Sequence, residues 1–290
     1  MVSFTRSREH IKKSVIKLQK QGCNLFVTGG GDGTLNDIIQ YLDEGSILIP
    51  LPLGNANDFA TRLKIYSWQD TVNIVKNIIY NKINLISIDL GEITYKDKNG
   101  NTQVKRFVNN CGIGVTADTV KIVDGQVNKK YLLSGFIALM KRKAFRFTYY
   151  SNKDKTNINL NCLGMEFLLT KRVGRHAELA PFKHQNDGTF HFIIFKDAPI
   201  LRKLKLMSLL QFGKKLVKTD LVEYYHGHTE LDTCNSQDMY INKIPYIWGM
   251  FHTPLNIHVD GNLLPDFSDT IQKDCKIRIL PKFIQTVAPC

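Results

Sequence analysis

The sequence predicts an α/β fold in two parts: an N-terminal parallel-sheet domain and a C-terminal β-sandwich-like domain. Two observations lead there. Over roughly the first 88 residues, short apolar runs alternate with segments of helical period, the pattern of a parallel sheet flanked by helices. Beyond that point the chain breaks into short β-like runs separated by turn signals, the pattern of antiparallel strands. The domains are read as 1–88, 89–265, and a C-terminal segment 266–290 that returns to the first domain.

The elements follow in order. Ile11, Val15, Ile16 and Leu18 are spaced as on one helix between Arg8 and Gln21, and Gly22 stops it. Leu25 to Thr28 is a short buried strand. Leu35, Ile38, Ile39 and Leu42 mark a helix over 35–42, and Ile47 to Leu51 is the next strand. Helices are expected at 57–63 and 71–80. After Ile88 the β-like runs are 85–90, 91–95, 105–109, 145–150, 158–163, 166–170, 190–195, 238–241 and 255–259. Asp97-Lys98-Asn99-Gly100 and Asn186-Asp187-Gly188 are turns between them. Two helices interrupt this part, over 130–142 and 202–214.

Composition narrows the class. The chain has 290 residues, 43% of them hydrophobic, within the globular norm. Its six cysteines are scattered without a C-x-x-C pair, against a zinc framework and in favour of a reducing compartment. No apolar run reaches the ~20 residues that span a bilayer, and the polar start Met1 to Arg8 does not read as a signal peptide. A cytoplasmic protein, at most peripheral at a membrane, is the expectation. The net charge of +13 suits anionic partners, and lysines and arginines gather over 129–146 and 202–218. No nucleic-acid module accompanies them, so no nucleic-acid partner is expected. A homodimer is left open.

The chemistry concentrates in two segments. Gly29-Gly30-Gly31-Asp32-Gly33-Thr34 follows a strand and opens a helix, where glycines admit a close ligand and free N–H groups attract an anion. It is neither a Walker loop nor the dinucleotide fingerprint. Asp32 among phosphate-seeking groups would repel the anion unless Mg²⁺ lies between them or the carboxylate holds a water network, and the segment reads as phosphate plus metal. The plainer alternative is a strand-to-helix turn capped by Asp32. Leu51-Pro52-Leu53-Gly54-Asn55-Ala56-Asn57-Asp58-Phe59-Ala60 repeats the passage from strand end to helix, with Asn57 and Asp58 at the helix start. Asp58 is either a cap or a second carboxylate on the same rim.

These two segments resemble the signatures of the diacylglycerol kinase catalytic domain family, which includes bacterial lipid kinases, sphingosine kinases and ceramide kinase. Ile88-Asp89-Leu90-Gly91, Phe107 to Gly114 with Ala117-Asp118, Ala180-Pro181 with Asp187-Gly188, and Asp260-Gly261 resemble later segments in the same order. The resemblance implies a nucleotide-binding first domain and an ATP-dependent, Mg²⁺-requiring transfer of the γ-phosphate to a lipid hydroxyl, diacylglycerol-like or sphingoid. It implies that Gly29, Gly30, Gly31, Asp32, Gly33, Thr34, Gly54, Asn57 and Asp58 bind the nucleotide. Asp32 and Asp58 would face the metal, and Asp260 would serve in accepting the hydroxyl proton.

The sequence departs from that pattern at three places. Asp-Gly-Glu is here Asp260-Gly261-Asn262, so one carboxylate is missing. The family carries a further βα unit with an Asn-Pro segment ahead of this point, and Val2 to His10 reads as the tail of the second strand entering a helix; either the sequence starts late or part of the nucleotide pocket is lost. The glycine-rich loop before Ala-Pro is Val173-Gly174-Arg175-His176. A catalytically impaired lipid- or nucleotide-binding relative is therefore the alternative. An NAD-kinase-like enzyme, which shares the Gly-Gly-Asp-Gly-Thr loop, is a more distant one.

Overall fold

Ser7 opens the first helix. Its hydroxyl accepts a hydrogen bond from the His10 N–H at 3.2 Å, satisfying one of the free donors of a helix start. This helix, α1 (Arg8–Lys20), buries Ile11 and Val15. The structure is a computed structural model that describes residues 1–124, 131–151, 156–173, 177–179, 188–189, 191–211, 222–227, 238–241, 246–251, 255–264 and 273–288.

After α1 come β1 (Leu25–Gly30), α2 (Asp32–Ile39), β2 (Ile47–Pro52), α3 (Asp58–Arg62) and α4 (Trp68–Ile79). The β-rich part follows: β3 (Leu85–Lys96), β4 (Thr102–Phe107), β5 (Asn110–Gly114), α5 (Val115–Asp124), α6 (Tyr131–Lys141), β6 (Phe145–Ser151), β7 (Thr156–Leu168), β8 (Arg172–Val173), β9 (Ala177–Glu178) and β10 (His191–Lys196). The remainder is α7 (Ile200–Gln211), β11 (Val222–Gly227), β12 (Asp238–Ile241), β13 (Tyr246–Phe251), β14 (Ile257–Val259), β15 (Asn262–Leu263) and β16 (Lys273–Val287). Among the described residues, 14 strands join one mixed sheet, and β8 pairs with β9 apart from it. The fold is α/β.

β1 and β2 run parallel, with Leu25 opposite Ile47 and Gly30 opposite Pro52, so both strands end at one rim. Two apolar clusters fill the interior. One holds Phe26, Ile39, Leu48, Ile49, Phe59, Ile88, Leu90, Ile284 and Val287. The other holds Ile93, Phe107, Ile113, Met165, Phe167, Ile257, Ile277 and Ile279. The long antiparallel pair β3 and β16 contributes to both, with a register shift between Leu280 and Ile284 where it passes from one to the other. β16 also touches β2, with Gln285 opposite Ile47.

Several elements differ from the sequence pattern for identifiable reasons. The helix expected from Leu35 begins at Asp32, because its first turn is the glycine segment itself. The helix expected from Thr71 begins at Trp68: Ser67 and Asp70 form a reciprocal capping box ahead of the apolar stripe. The runs 85–90 and 91–95 are one strand, as are 158–163 and 166–170, since Gly91 and Gly164 stay in register with their partners. Helix α5 was not expected; its buried Val115, Val120 and Val123 are weak helix formers that packing overrides. Residues 1–6 form no strand, and Met1, Val2 and Phe4 stay exposed, with no partner strand among the described residues.

Candidate active-site cleft

The cleft begins with a contact that only glycine permits. A Cβ on Gly54 would lie 2.4 Å from the Gly31 Cα, so the loops after β1 and β2 touch backbone to backbone. Gly30 is tight for a different reason, because a Cβ there would lie 2.7 Å from Thr34 Cβ and Oγ1. Gly29 is under no such constraint, its nearest neighbours being Leu51 and Leu53 side chains at 3.5 Å.

Asn57 fixes the second loop. In the left-handed region at φ 52, its Oδ1 accepts from the Gly54 N–H at 3.0 Å and its amide donates to the Gly54 carbonyl at 2.7 Å. Asp32 ties the loops together: its Oδ1 accepts from the Phe59 N–H at 3.2 Å, against the first turn of the helix that Asp58 opens. Gly33 and Thr34 lie in the first turn of α2, whose N-terminus offers unpaired N–H groups to the rim.

The third component comes from far along the chain. Asp260, at φ 46, turns β14 into β15. Its Oδ1 accepts from the N–H groups of Asn109 at 2.8 Å and Asn110 at 3.0 Å. Its Oδ2 accepts from the Val108 N–H and the Asn36 amide, both at 2.9 Å. Asn36 belongs to α2, so this carboxylate fastens the glycine-loop helix to the start of β5. Burial pushes the Asp260 carboxyl above its ordinary value, and the four hydrogen bonds oppose that rise. The half-buried Arg62 supplies the nearby positive charge and donates to the Val108 carbonyl at 3.2 Å. Burial lowers its guanidinium to about 10, while Asp89 and Asp260 work to hold the charge. Beside the turn, Asn262 brings its Oδ1 within 3.9 Å of where a Gly33 Cβ would stand.

The expected residues therefore gather at one rim: the two glycine loops in contact, Asp32 against the second loop, and the Asp260–Asn262 turn across from them. Ala180, Pro181 and Asp187 lie outside the described residues; Gly188 donates its N–H to Asp89 Oδ2 at 2.8 Å. Asn36 and Arg62, which the sequence reading passed over, are integral to the site. Arg62 was detectable as a cation three residues beyond Phe59 on a short helix. Asn36 looked like any polar residue on a helix face.

Among the described residues no group of three or more His, Cys, Asp or Glu converges to hold a metal. Asp32 and Asp58 would be the residues to hold Mg²⁺, which takes one or two carboxylates and fills its shell with water and phosphate oxygens. Gly30 and Gly54 let the two loops and Thr34 pack without a side chain between them, which leaves the start of α2 walled by backbone.

Fold and site define a class: an α/β protein in which two glycine loops meet at one rim beside a buried acidic turn. Residues 1–93 match the diacylglycerol kinase catalytic domain model. The diacylglycerol kinase of Bacillus subtilis (strain 168) is 27% identical over 205 residues, 67% of this chain and 62% of the relative. A Shewanella frigidimarina relative named probable lipid kinase YegS-like is 27% identical over 274 residues, 91% of this chain and 76% of the relative. The crystal structure of a diacylglycerol kinase from Bacillus anthracis superposes with a TM-score of 0.64 at 15% identity, covering 98% of this chain and 83% of that one. The N-terminal third of the chain thus matches that family's model, and the relatives that align along more of it are named diacylglycerol kinase or lipid kinase.

Proposed function

We propose that this protein is an ATP-dependent lipid kinase that transfers the γ-phosphate to the hydroxyl of a diacylglycerol-like or sphingoid lipid. One observation carries the reading: the loops at Gly29–Thr34 and Gly54–Asp58 meet backbone to backbone at the rim where the Asp260–Asn262 turn stands. Gly30, Gly31, Gly33 and Thr34 would hold the phosphates, with Gly54 and Asn57 shaping the second wall. Asp32 and Asp58 would hold Mg²⁺, which when bound neutralises charge on the transferring phosphate. In-line transfer needs chiefly positioning, which a rigid backbone cradle supplies. Asp260 would act on the acceptor side. Its four hydrogen bonds compete with proton uptake, so it accepts a proton only by releasing at least one of them.

The same feature favours a second reading, a catalytically impaired lipid- or nucleotide-binding relative. Asn262 cannot accept the proton, and general-base help is worth about 10²–10⁴ in rate. The NAD-kinase-like reading has less support, because the Gly54–Ala60 segment suits the lipid branch.

Contact with an anionic membrane face from the cytoplasm completes the proposal. Helices α6 and α7 pack together. They carry exposed Leu133, Ile200, Leu201 and Leu204 along with exposed Lys141 and Lys205. That mixture suits an anionic bilayer surface. Among the described residues no helix is long and apolar enough to cross a membrane.

The test is transfer from γ-labelled ATP to diacylglycerol, sphingosine and ceramide, with and without Mg²⁺. Label on a lipid only with Mg²⁺ supports the kinase. Nucleotide binding without label on any lipid supports the impaired relative. Label on NAD alone would overturn the lipid assignment.

A further inference from the structure

We propose that Glu166 and His258, which meet over Gly112, are a positioning pair that sets the Asp260–Asn262 turn at the cleft. The role of the turn rests on the lipid-kinase reading; the pair itself is read from the sheet.

Three strands place it. In β14, β5 and β7, His258, Gly112 and Glu166 stand opposite one another in a single row. Their side chains leave the sheet on one face, while Ile257, Ile113 and Met165 in the next row join the apolar cluster on the other. Gly112 makes the meeting possible. A Cβ there would lie 2.2 Å from His258 Nε2, 2.4 Å from Glu166 Oε2 and 2.4 Å from Thr116 Oγ1. With no side chain between them, His258 Nε2 comes within 3.8 Å of Glu166 Oε1.

The imidazole links this row to the turn. The Gly261 N–H donates to His258 Nδ1 at 3.3 Å, which requires a lone pair on Nδ1 and leaves the ring proton on Nε2, facing Glu166. Gly261 lies between Asp260 and Asn262, so the ring orientation fixes the middle of the turn. Burial lowers the His258 imidazole to about 4, and it stays neutral around physiological pH. Glu166 is the group that changes charge. Its Oε1 accepts from the Asn110 amide, and its buried Oε2 stands on the Thr116 hydroxyl side of Gly112. Burial pushes its carboxyl up to about 7; the Asn110 amide and the Thr116 hydroxyl oppose the rise, and the Asp260 charge adds to it.

Other titratable groups stand on the elements packed against Glu166. From β5 the Cys111 thiol is pushed well up by burial and by Glu166 itself. From β10 its register partner is Ile193, with His191 two residues along. From α5, Asp118 is engaged by Arg142 and by the Asn256 amide. An ionised Glu166 attracts the Nε2–H and holds the ring in line with Gly261. A protonated one releases it.

Two measurements on the full chain test this. In ¹⁵N-histidine-labelled protein, with His258 assigned by the His258→Asn spectrum, the expected state is the neutral Nε2–H tautomer from pH 5.5 to 8.5. A shift step near pH 7 is expected to vanish in Glu166→Gln, a variant that keeps the side-chain size and the Asn110 bond. The Nδ1–H tautomer, or the same step in Glu166→Gln, would overturn the pair. In the lipid transfer assay, the kcat profile should lose its ionisation near pH 7 in Glu166→Gln, with KM for ATP unchanged within about twofold. Identical kcat profiles would overturn the positioning role. If the unmodified protein labels no lipid, the lipid-kinase reading fails by itself, and the tautomer measurement still decides the pair.

Discussion

The two sides of the cleft are built from different materials. On the glycine side, the working surface is backbone: Gly31 against Gly54, Asn57 bonded to the Gly54 peptide, and the N-terminus of α2. All of it comes from two segments fewer than thirty residues apart in sequence. On the turn side, the surface is held by buried and half-buried polar side chains. Asp260, Asn36, Arg62, Asn110, Glu166 and His258 are drawn from five elements and the β14–β15 turn. A backbone surface tolerates changes of charge but not of volume. A surface held by buried polar groups tolerates neither a lost partner nor a misplaced proton, because each unpaired group inside is costly.

The largest expected effect follows on the turn side. Asp260→Ala leaves three backbone N–H groups without their acceptor and takes one acceptor from the Asn36 amide, and should cost about 3–5 kcal/mol by chemical denaturation. A loss below about 1 kcal/mol would mean that water replaces the carboxylate freely and the turn is not a fastening.

Next comes the charge of Glu166. Its folded carboxyl lies near 7 against an ordinary 4.5, so the folded state binds more protons than the unfolded one between those values. Stability therefore declines as pH rises through that window. Glu166→Gln removes the penalty and should be more stable than the unmodified protein by up to about 3 kcal/mol at pH 8. The difference should fade toward pH 4.5. Thermal unfolding at both pH values measures it, and a constant difference would show that Glu166 does not titrate as described.

On the glycine side the effects are steric. Gly54→Ala drives a methyl into the Gly31 backbone and should cost about 1–3 kcal/mol. ATP binding by calorimetry should weaken by roughly tenfold, equivalent to 1.4 kcal/mol. Unchanged affinity would separate the loop contact from the nucleotide. Asp32→Ala should change stability least, about 1 kcal/mol for the bond from the Phe59 N–H, while abolishing transfer. Wild-type turnover in that variant would reduce Asp32 to a loop tie.

This division explains what could be read in advance. Strand ends, helix periods and the glycine segments depend on neighbours in sequence, so β1, α2, β2 and both loops were legible from local pattern. The single strand β3, read as two runs, and the helix α5, not read at all, depend on tertiary partners that pattern does not carry. Asp260 was found through the order of segments, but not its fastening to Asn36 in α2, 224 residues away. Nor does any local signal join Glu166 to His258, since the row that unites them exists only when three strands align about Gly112.

The most direct test of the account, a lipid kinase with its glycine side intact and its turn side short of one carboxylate, is the transfer rate of Asn262→Glu beside that of the unmodified protein. With labelled ATP, Mg²⁺ and the best lipid acceptor, the substitution should raise the rate toward the general-base range of about 10²–10⁴. Nucleotide affinity should stay unchanged, and the gain should grow as pH rises through the new carboxylate's ionisation. An unmodified protein already turning over at an ordinary kinase rate of about 1–100 s⁻¹, with no gain from Asn262→Glu, would contradict it.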